Sequence, residues 1–341
     1  MMTFDAATLN RFAQIVSAGP QGMRTFDQAT YDSLGAFVVS ELERLDPEMH
    51  APLVDYTWSR DIDLRTDITI GHEFTSFVLS NMAATGGTRS DGKSWAAKNQ
   101  TETPNVQLDL NKARSVLGDW AQEISYTVFE LASAALLQRP IDSDKADALQ
   151  LKWNMDVDEQ TYIGDTELGG GVAGLVNNAN VTAANVANGA AGTPGWATKT
   201  PQEILTDING LLTAAWAASG YAVLPNRILL PPAKFAYIVN TINSAAGVSS
   251  ILTYLMQNNI ASARGVDLQI LPVKWLVGRG TGGTDRMVAY TKARNMVRLP
   301  LVPFYPIDTQ RQGIYIRTPY IGKIGQVEFV RTETVAYRDG L

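Results

Sequence analysis

Residues 87–94 read GTRSDGKS, and Gly87, Gly92, Lys93 and Ser94 fall in the register G-x-x-x-x-G-K-[ST]. In that motif a glycine-rich backbone cradles phosphates while the lysine and hydroxyl reach the phosphates and their metal. The chemistry needs a buried strand before the loop and a long helix after it, whose N-terminus faces the phosphates. FTSFVLS (74–80) reads as the strand, but WAAKNQTETP (95–104) offers only four helical residues before polar residues and Pro104. That is too short for a helix with a useful dipole. No apolar strand ending in an acidic residue is present to hold magnesium; VQLDL (106–110) alternates like a half-exposed strand. The better reading is a polar tip between two extended arms, where glycines supply positive φ.

A second candidate, GGGVAG, sets Gly169, Gly171 and Gly174 in the register G-x-G-x-x-G. A dinucleotide site needs a strand before, a helix after and an acidic residue about 20 positions on. Here a predicted helix precedes, an Asn/Gly/Ala-rich stretch follows, and no Asp or Glu occurs from Leu168 to Gln202. A flexible connection is expected. GHEF begins like a zinc-protease motif, but Ser76 stands where the second histidine belongs. His50 and His72 are the only histidines, no G-x-S-x-G occurs, and no spacing among the carboxylates marks out a general acid and base. The expectation is a protein that is not an enzyme, with no catalytic residue, cofactor or metal.

Composition narrows the class. The chain has 341 residues, 45% hydrophobic and 18% charged, which allows a substantial core. Its net charge of −6 argues against a dedicated nucleic-acid reader, though not against a protein that merely encloses nucleic acid. The absence of cysteine excludes disulfides, thiolate metal sites and cysteine nucleophiles. No signal peptide or membrane span is legible.

The elements come next. Residues 1–25 read as an arm and 26–45 as a helix, with Tyr31, Leu34, Phe37, Val38, Leu42 and Leu45 at helical spacing. Short alternating runs across 53–112 predict a β-type excursion out and back. Residues 113–140 predict a long helix, with Leu117, Trp120, Ile124, Val128, Leu131 and Ala135 as its apolar stripe and Pro140 as its stop. A second helix is expected near 143–161. TPQEILTDINGLLTAAWAASG (200–220) predicts a helix opened by a Thr200/Glu203 capping box with Pro201 in the first turn. Beyond it, NRILLPP, VDLQILPV and DRMVAYTKA read as strands, KFAYIVNTI and SILTYLMQN as helices, and 278–284 as a Gly-rich turn. The tail reads as paired strands, with IGKIG as a turn. The fold class is α+β.

This order resembles the Hong Kong 97-type major capsid proteins of tailed bacteriophages. TRSDGKSWAAKNQTETPNVQLDL, YIGDTELGGGVAGLVNN, RMVAYTKARNMVRLPLVP and PYIGKIGQVEFVRTETVAYRDGL are similar to a capsid subfamily long known only as a domain of unknown function. In that subfamily an apolar pair follows the Asp-x-x-Gly tip, and an acid precedes the Pro-x-Val strand. Here Asp91-Gly92 has no intervening pair, and Thr103 precedes Pro104-Asn105-Val106. The resemblance implies an N-terminal arm and helix over 1–52 and an extended β-hairpin loop over 53–112. It further implies a peripheral domain with a long spine helix over 113–167, an axial domain over 168–300, and C-terminal strands over 301–341 returning to the peripheral domain. It implies self-assembly into hexamers and pentamers that form an icosahedral head around double-stranded DNA, held without sequence specificity. Portal, scaffolding and decoration proteins are the implied partners, and the virion, assembled in the host cytoplasm, is the implied location, with no membrane involved. The loop tip would lie across a neighbouring subunit, with Arg89, Asp91, Lys93, Trp95 and Lys98 in contact there. Strands 311–341 contain no asparagine to receive a lysine cross-link from Lys93 or Lys98. The chain begins with Met1 and lacks a long charged helical leader, so no fused scaffolding domain is expected. An encapsulin-like bacterial nanocompartment shell is the alternative; a phosphate-loop nucleotide hydrolase is the remote one.

Overall fold

The structure, a computed structural model, describes residues 53–84, 98, 106–137, 141–165, 173–243 and 249–341. The expected arm and helix of 1–52 lie outside these residues. Helix α1 (Trp58–Asp61) and strand β1 (Asp63–Arg65) lead to two long strands, β2 (Phe74–Ala84) and β3 (Val106–Thr127). Helices α2 (Val128–Leu137) and α3 (Ile141–Tyr162) follow, then β4 (Thr182–Asn185) and α4 (Pro201–Ala218). Next come β5 (Arg227–Leu230), α5 (Pro232–Asn240), β6 (Ile242–Asn243), β7 (Ser249–Ser250), α6 (Ile251–Asn258) and α7 (Ile260–Ala263). The chain ends with β8 (Gln269–Pro272), β9 (Arg286–Tyr290), β10 (Val297–Pro306), β11 (Gln310–Gln312), β12 (Tyr315–Gly325), β13 (Glu328–Phe329) and β14 (Ala336–Asp339).

Two mixed sheets organise these strands, apart from β6 and β7, which pair with each other. The first runs β1-β10-β12-β3-β2, with β11 on β12 and β13 on β10. The second runs β4-β14-β9-β5-β8. Strand alternation gives the second sheet two apolar faces. Leu229, Val288, Tyr290 and Tyr337 point into one core with Trp153 and Val157 of α3 and with Leu299 and Leu301 of β10. Ile228, Leu230, Met287, Ala289 and Ala336 point into the other, against Ile204, Ile208, Leu211 and Leu212 of α4. The α4 capping box forms as its sequence predicts: Thr200 accepts from the Glu203 amide, and Glu203 accepts from the Thr200 amide.

Two expectations are corrected. The stretch 113–127 is strand, and the helix begins only at Val128. Trp120 and Ile124 sit four apart, a spacing shared by one helix face and one strand face. Leu117 lies on the opposite strand face, yet it is buried too, which completes a false helical stripe. Eleven backbone pairs with β12, from Leu117↔Gly325 to Thr127↔Tyr315, hold the segment extended. Gly118 would weaken a helix by about 1 kcal/mol. IGKIG (321–325) is the end of β12 and not a turn, because Gly322 and Gly325 sit where side chains would collide with Trp153 and with Leu117 and Pro300. The final strand β14 lies in the second sheet between β4 and β9, and β10 to β13 lie in the first.

Helix α3 is tied to the segment before the arm. Asp158 accepts the Thr57 and Trp58 amides at 2.8 and 3.0 Å, and Trp275 Nε1 at 2.6 Å. Buried Asp61 accepts the Tyr162 hydroxyl and the Arg60 guanidinium. Burial and the adjacent Asp61 carboxylate push the Tyr162 phenol far above its usual range, so it remains a donor.

Gly174 is a point of close approach. A Cβ there would stand 2.2 Å from the Tyr162 carbonyl oxygen, which is backbone and cannot rotate away. Gly174→Ala is therefore expected to cost about 3 kcal/mol in urea unfolding, the upper end for overpacking. A loss within experimental error would show that α3 and the 174–176 segment are not packed as described.

Candidate assembly arm and its base

The β2–β3 ladder pairs Phe74 with Val116 through to Ala84 with Val106, eleven pairs in all. Strand β3 divides its hydrogen bonds: residues 106–116 pair only with β2, and 117–127 pair with β12. The upper half is thus a two-stranded ribbon about 33 Å long that no third described strand flanks. A lone hairpin is marginally stable in water, so a ribbon of this length calls for contact from outside itself. It exposes large apolar side chains: Val78 and Leu110 are each 59% exposed and Phe74 is 41% exposed, with the Arg114 guanidinium 3.4 Å above the Phe74 ring centroid.

At the base of the ribbon sits Glu328 of β13, whose side chain is wholly buried. It accepts the Thr75 hydroxyl at 2.6 Å, Arg65 Nη1 at 3.0 Å and Arg298 Nε at 2.6 Å. Arg65 also donates to the Ser76 carbonyl at 3.2 Å and to Asp67 at 2.8 Å, which raises the guanidinium pKa and holds the Asp67 carboxyl below its usual range. One carboxylate therefore joins β1, β2 and β10. Lys323 of β12 adds a second tie, donating to the His72 carbonyl at 2.8 Å and pairing with Asp119 at 2.7 Å. None of these residues stands out in the sequence. Glu328 lies between Val327 and Phe329 as an ordinary solvent-facing member of an alternating strand would, and only the pairing of β13 with β10 reveals its burial.

Of the five residues expected at the tip, Arg89, Asp91, Lys93 and Trp95 lie outside the described residues, and Lys98 is exposed. The strands that bracket GTRSDGKS in the chain are described, β2 to Ala84 and β3 from Val106. The segment lies between two antiparallel, directly paired strands, which is the context of a hairpin connection. At the second glycine motif, Gly169 and Gly171 lie outside the described residues. The amides of Gly174, Leu175 and Val176 donate to the carbonyls of Ile163, Thr161 and Tyr162, at the C-terminus of α3. A phosphate site needs free amides at a helix N-terminus; here they are consumed at the end of opposite polarity. His72 is exposed, and its Nδ1 accepts the Thr69 amide in a local turn. Among the described residues no group of three or more His, Asp or Glu side chains is placed to hold a metal, and no helix is long and apolar enough to cross a membrane.

Comparison with known proteins agrees with an assembly role. A family model described as "Major capsid protein" matches residues 92–341. The fold is similar to that of the capsid of Myoviridae phage XM1, with a TM-score of 0.71 and 17% identity over 89% of this chain and 98% of that one. It is also similar to solved chains from Mycobacterium phage Bobi (TM-score 0.57, 13% identity, covering 88% and 96%) and Microbacterium phage Oxtober96 (0.56, 13%, 89% and 98%). A search of curated proteins returned no match.

Proposed function

The chain belongs to the major capsid protein family, and from that premise we propose that it assembles with copies of itself into hexamers and pentamers that close an icosahedral head around double-stranded DNA. Its role is structural, in an α+β capsid fold. The observation that carries the self-assembly reading is the eleven-pair ribbon, flanked by no third described strand and bearing exposed apolar side chains. Contacts spread along such arms are individually weak and collectively strong, so a shell corrects errors before it closes. Repetition of one interface around a symmetry axis gives closed rings. The acidic chain suits a container that encloses DNA without gripping its sequence. Assembly in the host cytoplasm, and work with portal, scaffolding and decoration proteins, follow from the same reading.

The test is negative-stain microscopy with sedimentation on the chain expressed in bacteria. Closed shells, or free rings of five or six, are expected. Nuclease-protected DNA within particles from infected cells distinguishes a viral head from a compartment loaded with a protein cargo. A monomer that hydrolyses ATP, and loses that activity in Lys93→Ala, would return the phosphate-loop reading and overturn this one.

A further inference from the structure

Where β3 leaves the ribbon it borders a cleft of about 390 Å³ against the end of α3. Asp156, Glu159 and Gln160 stand at i, i+3 and i+4 of that helix, share one of its faces and line the cleft. Half-buried Trp120 and buried Ile324 supply its apolar wall. The carboxylates are not equivalent. Asp119, also on the rim, pairs with Lys323, and Asp156 accepts Trp120 Nε1 at 2.9 Å and the Lys152 ammonium. The exposed Glu159 carboxylate receives no hydrogen bond or ion pair from any described residue. Gln160 is only 8% exposed, and its buried Nε2 meets no acceptor. Its carboxamide can turn over about the last bond, which exchanges nitrogen and oxygen. An acceptor then stands where a donor is left unsatisfied, and a donor arriving through the cleft completes it. Leaving a buried polar group unpaired is costly, so such an occupant is favoured.

Glu159 and Gln160 thus offer two adjacent acceptors without a donor, beside an aromatic ring. That combination selects a cation rich in N–H donors. A bare metal ion does not fit, because among the described residues no group of three or more His, Asp or Glu side chains is placed to hold one. An aliphatic polyamine does fit. One ammonium donates to Glu159 and Gln160, and the methylenes lie against Trp120 and Ile324. Side chains at i and i+3 stand about 5–6 Å apart, so a second ammonium about three or four methylenes away reaches Asp156. The side chain of a lysine in another protein brings only one ammonium and leaves that second position unmet.

We propose that the cleft at the foot of the arm is a binding site for an aliphatic polyamine, held by Glu159, Gln160 and Asp156. Because the cleft is walled by α3 on one side and by β3 and β12 on the other, the bound polyamine ties the helix to the base of the ribbon. The site lies within one chain and stands whether or not the chain closes into a shell.

Isothermal titration calorimetry of the full-length chain with spermidine tests this, in physiological salt that screens diffuse attraction to an acidic surface. Saturable binding at a single site is expected, with no displacement by an equal concentration of magnesium chloride. Glu159→Gln, at an exposed position, is expected to weaken binding by about tenfold, the scale of one charged hydrogen bond. Gln160→Met, which keeps the length and removes the amide, is expected to weaken it by about fivefold. Asp308→Asn, an exposed acid outside the cleft, is expected to bind as the wild type does. Thermal melts without ligand verify that the variants fold, and spermidine is expected to raise the melting temperature of the wild type more than that of Glu159→Gln. Unchanged affinity in both cleft variants, an equal loss in Asp308→Asn, or displacement by magnesium would mean diffuse attraction to an acidic chain and overturns the inference. A lysine with both ends blocked as amides that binds more tightly than spermidine would make the occupant a protein segment, and overturns it as well.

Discussion

Replacing Glu328 by alanine is expected to lower unfolding stability by about 3–5 kcal/mol, the cost of removing one partner from a buried charge group. The size follows from what is left behind. Arg65 and Arg298 are only 14% and 18% exposed, and both aim at the one carboxylate. Without it Arg298 loses its carboxylate, Arg65 keeps only Asp67, and the Thr75 hydroxyl loses its acceptor. Glu328→Gln keeps the shape and part of the hydrogen bonding, so it is expected to lose less. Urea unfolding measures the stability, and amide exchange at residues 74–79 reports whether the foot of the arm loosens with it. A loss below about 1 kcal/mol for alanine, the scale of an exposed pair, would show that Glu328 is hydrated and does not set the arm.

Trp153→Ala is the second large effect, with an expected loss of about 3–5 kcal/mol. Trp153 is 3% exposed and meets Trp120 edge-on at a centroid distance of 4.9 Å and Phe304 at 5.3 Å. This cluster is where α3, β3 and β10 meet, and it has a particular shape requirement. Gly322, opposite Trp120 in the β3–β12 register, leaves the space that Trp153 fills; a Cβ there would lie 2.9 Å from Trp153 Cζ3. Gly322→Ala is therefore costly in the wild-type chain and less costly once Trp153 is alanine, when the Phe304 Cα at 3.2 Å is the remaining close contact. A double-mutant cycle is expected to show a coupling within the range of about 0.5–3 kcal/mol seen for residues in contact. Additive losses would mean that the indole and the glycine do not share that space.

Several elements were readable because their signals are local. The α4 helix carries its own start in Thr200, Pro201 and Glu203, and its own stop at Gly220, whose φ is +64°. Strands β5, β8 and β9 of the second sheet are short apolar runs between turn residues, and α5 and α6 appear where helical spacing places them, whereas β4, TAAN, lies in the stretch expected to be a flexible connection. The two nucleotide motifs were likewise rejected on neighbouring residues alone, and the geometry around Gly174 supplies the reason that glycine is there.

What the sequence determined by itself is the α+β class, most of the elements after residue 140, the weakness of any catalytic constellation, and a family resemblance spread over the whole chain. Local propensity, capping and composition act over a few residues and are visible there. Tertiary structure decided the rest. Residues 113–127 carry a spacing that satisfies helix and strand alike, and they extend because β12, nearly two hundred residues later, pairs with them along eleven positions. Glu328 is a buried clamp rather than a surface acid because β1, β2 and β10 converge on it. The cleft holding Glu159 and Gln160 exists because β3 leaves the ribbon beside the end of α3. Each of these depends on contacts between residues distant in the chain, and pairing free energy of that kind leaves no mark on either partner alone.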